Sequence, residues 1–301
     1  MDTVIETDRL TKTYRGARGI DDVSLSVQRG EVFGFLGPNG AGKTTTVRTL
    51  LDLLHPTSGS ASLFGLDSRR DSRAIRARLG NLPGEFACDP RRSGRELLTF
   101  LAALRGLPGL GRAAELAERF SADLDRPTGE LSRGNRQKIG LVQALFHAPE
   151  LLILDEPTGG LDPLMQEQFH EVVAEERERG ATVLLSSHDL DEVQRLCDRV
   201  AIIRDGRLIA VEHIAELTRR RYRHVSVELA QAIDADELRA LPGVRDVELD
   251  GGRKARFGVA AAELDGVVKA LARHTVVDLE LEHPSLEEIF LTYYAPAERD
   301  S

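Results

Sequence analysis

The stretch Glu31-Val-Phe-Gly-Phe-Leu36, followed by Gly37-Pro-Asn-Gly-Ala-Gly-Lys-Thr44, decides the fold of this 301-residue chain. The first six residues form a short apolar run typical of a buried strand, and a helix is predicted from Thr44 to Leu54. The glycine-rich turn fits the pattern G-x-x-x-x-G-K-[ST], in which consecutive backbone N–H groups surround phosphate oxygens. The positive end of the following helix adds to this attraction. The sequence therefore predicts a site for a nucleoside triphosphate.

Two side chains of this loop have distinct predicted roles. Lys43 is placed to reach the β- and γ-phosphates, and the hydroxyl of Thr44 to bind Mg²⁺. The residues expected to contact the nucleotide are Gly37, Pro38, Asn39, Gly40, Ala41, Gly42, Lys43, Thr44 and Thr45.

A second apolar run, Leu151 to Leu154, ends in the adjacent carboxylates Asp155 and Glu156. Two acids that close a buried strand are costly unless a cation or a proton transfer uses them. Asp155 is predicted to hold the Mg²⁺ shell, and Glu156 to orient and deprotonate the attacking water. An acidic pair at a strand end is also often a helix cap. The preceding phosphate loop in the same domain favours the catalytic interpretation.

Composition narrows the possible functions. The net charge of −9 argues against a general nucleic-acid binder, because phosphate affinity needs a basic face. No run approaches the roughly 18 apolar residues of a membrane-spanning helix, and the N-terminus lacks the apolar core of a signal peptide. Cys88 and Cys197 have neither disulfide-framework nor zinc-site spacing. The protein is therefore expected in the cytosol unless a partner holds it at a membrane.

The chain is predicted to contain two domains. Residues 1–218 alternate strands with helices, and their near-continuous apolar runs are typical of parallel strands covered on both faces. A helical insertion is predicted at about 86–135, where apolar residues recur at helical spacing. Residues 219–301 follow the order β-α-β-β-α-β of a ferredoxin-like module. A last helix is predicted from Ser285. The fold class is thus α/β with a small α+β C-terminal domain.

Further motifs resemble the ATP-binding cassette (ABC) family of transporter ATPases. Leu131-Ser-Arg-Gly-Asn-Arg-Gln137 resembles its signature motif, Pro157-Thr-Gly-Gly-Leu-Asp162 its D-loop, and Ser186-Ser-His188 its switch histidine. Tyr14 matches the aromatic residue that stacks on adenine. The resemblance covers residues 3–218 in one unbroken order, and it implies a P-loop NTPase cassette that binds ATP and Mg²⁺.

The family implies a shared mechanism. Two cassettes face each other head to tail, and each ATP lies between the phosphate loop of one and the signature motif of the other. Ser132 and Gly134 would contact the γ-phosphate bound on the opposite subunit. His188 would hold that phosphate and the catalytic water, and Asp162 would link the two sites. The expected partners are a second copy of the chain or a related cassette, and a separate polytopic permease. The expected location is peripheral, on the cytoplasmic face of the cell membrane.

The sequence departs from the family in two places. Arg133 and Asn135 replace glycine and glutamine of the commonest signature, and a basic residue at the first position also occurs in drug-exporter relatives. The Q-loop glutamine, which contacts Mg²⁺ and couples to the membrane domain, is absent from residues 81–86. Gly84 takes its expected position, beside Glu85. Either Glu85 substitutes as a metal ligand through a water, or the helical insertion moves without that link.

The segment at residues 283–291 indicates which kind of ABC transporter this chain resembles. His283-Pro-Ser-Leu-Glu-Glu-Ile-Phe-Leu291 resembles the C-terminal end of bacterial drug- and antibiotic-exporter cassettes. We therefore predict an ATP-binding subunit that drives efflux of a hydrophobic drug or antibiotic. One alternative is a soluble ABC ATPase acting on ribosomes or DNA, although those usually carry two cassettes, a coiled coil or a zinc insertion. Another is a degenerate, non-hydrolysing cassette, against which the intact phosphate loop and carboxylate pair argue.

Overall fold

The computed structural model describes residues 2–15, 17–219 and 223–282. The exporter-like segment at 283–291, with the helix predicted from Ser285, lies outside the described residues. Across the described ranges, no helix combines the length and the apolar character needed to span a membrane.

The chain divides into two compact units, Met1–Glu212 and His213–Ser301. The strands that begin in the first unit are β1 (Thr3–Tyr14), β2 (Ala17–Gln28), β3 (Val32–Leu36), β4 (Ser58–Leu63), β5 (Leu66–Asp67), β6 (Leu79–Leu82), β7 (Leu151–Asp155), β8 (Thr182–Ser187), β9 (Arg199–Arg204) and β10 (Arg207–His213). Its helices are α1 (Lys43–Leu50), α2 (Ser72–Arg78), α3 (Gly94–Leu104), α4 (Gly111–Arg119), α5 (Arg133–Leu145), α6 (Pro163–Glu178) and α7 (Leu190–Leu196).

A six-stranded sheet, in the order β10-β9-β3-β8-β7-β6, forms the centre of the first unit. The pairs β9–β3, β3–β8, β8–β7 and β7–β6 are all parallel. Every residue of β3, β7 and β8 is buried, as expected for parallel strands covered on both faces. The carboxyl ends of parallel strands meet at one edge, where α/β sheets bind ligands. The predicted phosphate loop, carboxylate pair and switch histidine all follow strands that end at this edge.

A second sheet of the first unit is antiparallel, in the order β2-β1-β4-β5. Buried residues of both sheets, such as Ile5, Phe35 and Leu63, belong to one hydrophobic cluster with Val47 of α1. The two sheets therefore share a core, and Tyr14 lies at the end of β1, the strand paired with both β2 and β4.

Helix α1 ends earlier than the sequence predicts, at Leu50 rather than Leu54. Asp52 has a left-handed backbone conformation with φ of 55°, which an α-helix cannot continue through. The N–H groups of Leu53 and Leu54 instead turn back to the carbonyl oxygen of Arg48, at 2.9 and 3.1 Å.

Helices α3 and α4 occupy the stretch where the sequence predicts a helical insertion. Ser93 and Glu96 form a capping box at the start of α3, because each side chain accepts a hydrogen bond from the backbone of the other. Two arginines of α4 form ion pairs with neighbouring glutamates of α6, and an arginine in the turn after α6 joins one of these pairs. Arg112 and Arg179 both contact Glu176, whose exposed fraction is 1%, and Arg119 contacts the exposed Glu175.

The second unit contains α8 (Ile214–Arg219), β11 (Arg223–Leu229), α9 (Ala235–Arg239), β12 (Val244–Asp250), β13 (Lys254–Val259), α10 (Leu264–Leu271) and β14 (Val276–Glu282). Its sheet has the order β12-β13-β11-β14, with antiparallel neighbours throughout. Buried residues of the strands, including Val225 and Phe257, pack with Leu238 of α9 and Leu271 of α10. This confirms the predicted order β-α-β-β-α-β of a ferredoxin-like module.

We predict that Glu176→Gln lowers the free energy of unfolding by about 3 kcal/mol or more, because it leaves two partly buried arginines without their counter-charge. The matched control is Glu175→Gln, which removes an exposed pair across the same two helices and should cost at most about 1 kcal/mol. Chemical denaturation of the full chain measures both changes. Equal losses in the two variants would show that burial of Glu176 has no special energetic weight.

Candidate nucleotide-binding site

The phosphate loop connects β3 to α1 and depends on glycine at several points. Gly40 and Gly42 have φ angles of 81° and 113°, a region that favours glycine. A Cβ atom at Gly37 would lie 2.5 Å from the carbonyl oxygen of Ile203, so a larger residue would displace the backbone. Helix α1 begins at Lys43 without a side-chain cap. Its first N–H groups are therefore available to an anion.

Lys43 is buried within this loop, with 5% of its surface exposed. Its Nζ donates hydrogen bonds to the carbonyl oxygens of Gly37 at 2.5 Å and Pro38 at 3.3 Å. It also lies 3.5 Å from Oε1 of Glu156. A positive charge is thus fixed beside the helix start, where phosphate oxygens would meet it together with the backbone N–H groups.

Asp155 closes β7 with an exposed fraction of 2% and receives two hydroxyl hydrogen bonds. The Oγ1 of Thr44 donates to its Oδ2 at 2.8 Å, and the Oγ of Ser186 donates to its Oδ1 at 2.5 Å. Hydroxyl and carboxylate oxygens are the ligands that Mg²⁺ prefers. Thr44 and Asp155 therefore form a donor pair that fits this cation. Ser186 belongs to the motif of the switch histidine, and its contact with Asp155 follows from no local sequence pattern.

Glu156 and His188 meet beside the lysine. Oε1 of Glu156 lies 3.4 Å from Nδ1 of His188 and 3.5 Å from Nζ of Lys43. The backbone of Glu156 is left-handed, with φ of 49°. Its N–H donates to the carbonyl oxygen of Ser186 at 3.1 Å, which holds the turn against β8. A carboxylate next to an imidazole and an ammonium group is suited to orient a water and accept its proton.

Gln137 supports this turn, a role for its side chain that the sequence analysis does not predict. It lies in α5, is 5% exposed, and its Nε2 donates to the carbonyl oxygens of Glu156 at 3.2 Å and Pro157 at 3.1 Å. Gln137 is the last residue of the signature stretch Leu131–Gln137. Its hydrogen bonds to the backbone after β7 are tertiary contacts that the signature motif alone does not reveal. The signature helix is therefore hydrogen-bonded to the backbone beside the predicted general base.

The signature residues occupy the start of α5. Ser132 is the N-cap, and its Oγ accepts a hydrogen bond from the N–H of Asn135 at 3.2 Å. Gly134 packs against the D-loop, because a Cβ there would lie 2.6 Å from the carbonyl oxygen of Gly160. Asp162 caps α6 by accepting from the N–H of Met165 at 3.0 Å.

The structure brings the phosphate loop, the carboxylate pair and the switch histidine into contact with one another. The side chains of Ser132, Asp162 and Tyr14 are not part of this group. Within the described ranges, no hydrogen bond or ion pair links the side chains of Ser132, Asp162 or Tyr14 to Lys43. Tyr14 is 42% exposed, with Nζ of Lys12 5.6 Å from its ring centroid. An exposed aromatic face is available for stacking on a base.

Gly84, at the expected position of the absent Q-loop glutamine, lies beside the side chain of Asp155. A Cβ atom at Gly84 would lie 3.1 Å from Oδ2 of Asp155. Glu85 is exposed and lines a cavity of about 500 Å³ together with Arg133 and Gln137. Residue 84 therefore adjoins the predicted metal-binding carboxylate, whereas a role for Glu85 as a metal ligand stays a prediction.

Comparison with known proteins identifies the family. Residues 20–159 match the family model described as ABC transporter. Over 301 aligned positions, the chain is 37% identical to the daunorubicin resistance ATP-binding protein DrrA3 of Streptomyces coeruleorubidus, covering 96% of this chain and 95% of the relative. The chain belongs to the ABC transporter ATP-binding subunits. This confirms the predicted family, the cassette fold and the ATPase activity. The protein therefore binds and hydrolyses nucleotide.

Further matches of this ABC subunit extend over its second unit and to solved structures. Residues 214–294 match the model described as ATP-binding protein DrrA1-3-like, C-terminal domain. The bacitracin transport ATP-binding protein BcrA of Bacillus licheniformis is 37% identical over 239 residues, with 76% of each chain covered. A solved ATP-binding subunit of an ABC transporter is 31% identical with a TM-score of 0.67, covering 72% of this chain and 92% of its own.

We predict that Glu156→Gln leaves ATP binding intact and lowers turnover by at least about 10²-fold, the smaller contribution expected of a general base. The substitution keeps the shape of the side chain but removes its ability to accept a proton. Steady-state ATPase and nucleotide titration measure the two effects. The control is Glu178→Gln, at an exposed position at the end of α6. Turnover of Glu156→Gln within about threefold of wild type would overturn the assignment.

Proposed function

We propose that this ABC subunit hydrolyses MgATP to drive export of a hydrophobic drug or antibiotic through a separate membrane permease. The observation that carries the proposal is the near full-length similarity to a daunorubicin resistance ATP-binding protein. The match of residues 214–294 to a DrrA-like C-terminal domain supports it further, since this part lies beyond the cassette itself. The subunit would then act as a peripheral protein on the cytoplasmic face of the membrane.

The proposed catalytic roles follow from the group around Lys43. The lysine and the N–H groups of α1 bind the β- and γ-phosphates. Glu156 orients the attacking water and accepts its proton, and His188, 3.4 Å away, holds the γ-phosphate and that water in position. Because the lysine also lies 3.5 Å from the glutamate, bound phosphate and the carboxylate would share its charge.

Mg²⁺ is the proposed metal partner of the nucleotide. Thr44 and Asp155 would hold it, and Oγ1 of Thr44 already lies 2.8 Å from Oδ2 of Asp155 in a part-buried hydrogen bond. When bound, the ion neutralises charge on the phosphate oxygens. Glu85 is retained as a proposed water-mediated ligand, with the alternative that the helical insertion moves without such a link.

A dimer of cassettes is the proposed active form. Ser132 and Gly134 lie at the N-terminus of α5, which favours an anion, yet within the described part of the chain Ser132 has no bond to the phosphate loop. A phosphate bound on a second subunit would satisfy this helix start. Tyr14 is proposed to stack on the adenine, and Asp162 to link the two composite sites.

A mixture of Lys43→Ala and Ser132→Arg proteins tests the composite site. Each heterodimer contains one site with both lesions and one intact site, whereas every site of either homodimer carries one lesion. We therefore expect ATP-driven pairing of the mixed proteins, measured by energy transfer between labels, to exceed pairing of either variant alone. Equal pairing in the three samples would argue for a site contained in one subunit.

The helical insertion offers a surface for the permease. Phe100 and Leu104 of α3 are 60% and 68% exposed. Phe100 also lines a cavity of about 390 Å³ with Leu97, Arg92 and Cys88. Exposed apolar side chains that border a cavity are typical of protein-binding surfaces. We propose that a cytoplasmic segment of the permease binds here.

We predict that Phe100→Asp abolishes copurification of the tagged chain with a polytopic membrane protein, because a charge on this surface cannot be buried without a partner. The matched control is Leu53→Asp, a 59% exposed apolar residue outside the insertion. Membranes of the native host, solubilised in mild detergent, provide the material, and mass spectrometry identifies the partner. Recovery of ribosomes in place of a membrane protein would instead support the soluble ABC ATPase alternative.

A further inference from the structure

A buried glutamate, Glu192, lies four residues after the switch histidine His188. Glu192, in α7, is 4% exposed, and neither of its carboxyl oxygens has a hydrogen-bond partner among the residues that the structure describes. Burying a carboxyl without hydrogen bonds costs free energy, so a group of this kind in a core calls for an explanation. The proposed catalytic roles do not use this residue.

The surroundings of Glu192 come from two loops. The hydroxyls of Ser187 and Thr158 are close enough to lower the pKa of the carboxyl, but burial outweighs them and the pKa is raised. Ser187 precedes His188 at the end of β8, and Thr158 lies in the turn that follows Glu156. The glutamate is therefore placed between the chain segments that carry the two proposed catalytic side chains.

The other ionisable groups around the carboxyl are few. Asp189, which caps α7 and accepts from the N–H of Glu192 at 3.3 Å, raises the pKa of Glu192, and His188 lowers it. Glu192 in turn contributes to the raised pKa of Cys197, a thiol that is itself buried. Burial therefore shifts Glu192 towards its protonated form, which can donate one hydrogen bond and accept others.

We propose that Glu192 is a positioning residue that couples the loop of His188 to the loop of Glu156. A protonated carboxyl donates to one hydroxyl, of Ser187 or Thr158, and accepts from the other when the site closes on nucleotide. Glu192 touches neither the phosphate nor the water. It acts by holding the imidazole at its distance from the general base, 3.4 Å between Nδ1 and Oε1 in this structure. The inference rests on the proposed roles of these two residues.

Two substitutions of similar size test the hydrogen bonding. Glu192→Gln keeps a donor and an acceptor without ionising, and we expect its kcat to stay within about threefold of wild type. Glu192→Met fills the space but cannot bridge hydroxyls, and its kcat should fall by about tenfold, with the KM for ATP little changed. Asp191→Asn, at the exposed neighbouring position, is the control. All are measured on the full-length chain.

The pH dependence of stability provides a second measurement. It separates the effect of ionising Glu192 from the effect of how its side chain packs. A raised pKa means that folding favours the neutral carboxyl, so wild-type stability falls as the pH rises above about 4.5, the ordinary value for glutamate, towards the pKa of the folded protein. Glu192→Gln cannot ionise and should not show this loss. Its thermal midpoint should therefore exceed that of wild type by a margin that grows as the pH rises above about 4.5, the ordinary pKa of glutamate.

The outcomes distinguish this inference from the proposed function. If His188→Ala or Glu156→Gln leaves turnover intact, the proposed catalytic roles fail. If they abolish turnover while Glu192→Gln and Glu192→Met have equal kcat, the positioning role of Glu192 is overturned. In the background of His188→Ala, Glu192→Met should lower the residual kcat no further, because both act on one geometry. An additional tenfold loss there would also overturn it.

Discussion

The carboxylate of Asp155 is the contact on which the nucleotide site depends. It is buried at the end of β7, where an unpartnered charge would be costly, and two hydroxyls stabilise it. Thr44 brings the phosphate loop and the start of α1 to it, and Ser186 brings the end of β8. Gly84 also lies beside this carboxylate, since a Cβ there would be 3.1 Å from Oδ2 of Asp155. One buried carboxylate thus joins the loop that follows β3 to the end of β8, and it adjoins the loop that follows β6.

The helical insertion is connected to this centre by contacts of a different kind. Glu176 of α6 lies between arginines from the insertion and from the turn after α6, with almost no exposure to water. Gln137 of α5 binds the backbone beside Glu156 through two hydrogen bonds. The first contact joins the insertion to α6, and the second joins α5, the helix that follows the insertion, to the turn after Glu156. A shift of α5 would therefore change the surroundings of Glu156, the predicted general base.

The sequence predicted those parts of the fold and site that follow from local chemistry. The glycine pattern at Gly37–Thr44, the buried strand before Asp155 and the alternation after Val225 each depend on residues close together in the chain. The end of α1 was wrong because helical periodicity does not detect the left-handed backbone at Asp52. The contacts of Gln137 and Glu192 depend on segments far apart in the sequence, so no local pattern indicates them. The predicted roles of the site residues stay predictions, including that of Glu85.

The packing of Gly134 against Gly160 has a consequence for a pair of such cassettes. A Cβ at Gly134 would lie 2.6 Å from the carbonyl oxygen of Gly160, so a shift of the signature helix towards the D-loop of the same chain would displace that loop. In a head-to-tail dimer, the first belongs to the composite site of the neighbour and the second adjoins the chain's own site. Occupancy of one site would then alter the free energy of occupancy at the other, and linkage requires this effect to be reciprocal. Nucleotide binding by the pair should accordingly be cooperative, with a Hill coefficient different from that of two independent sites.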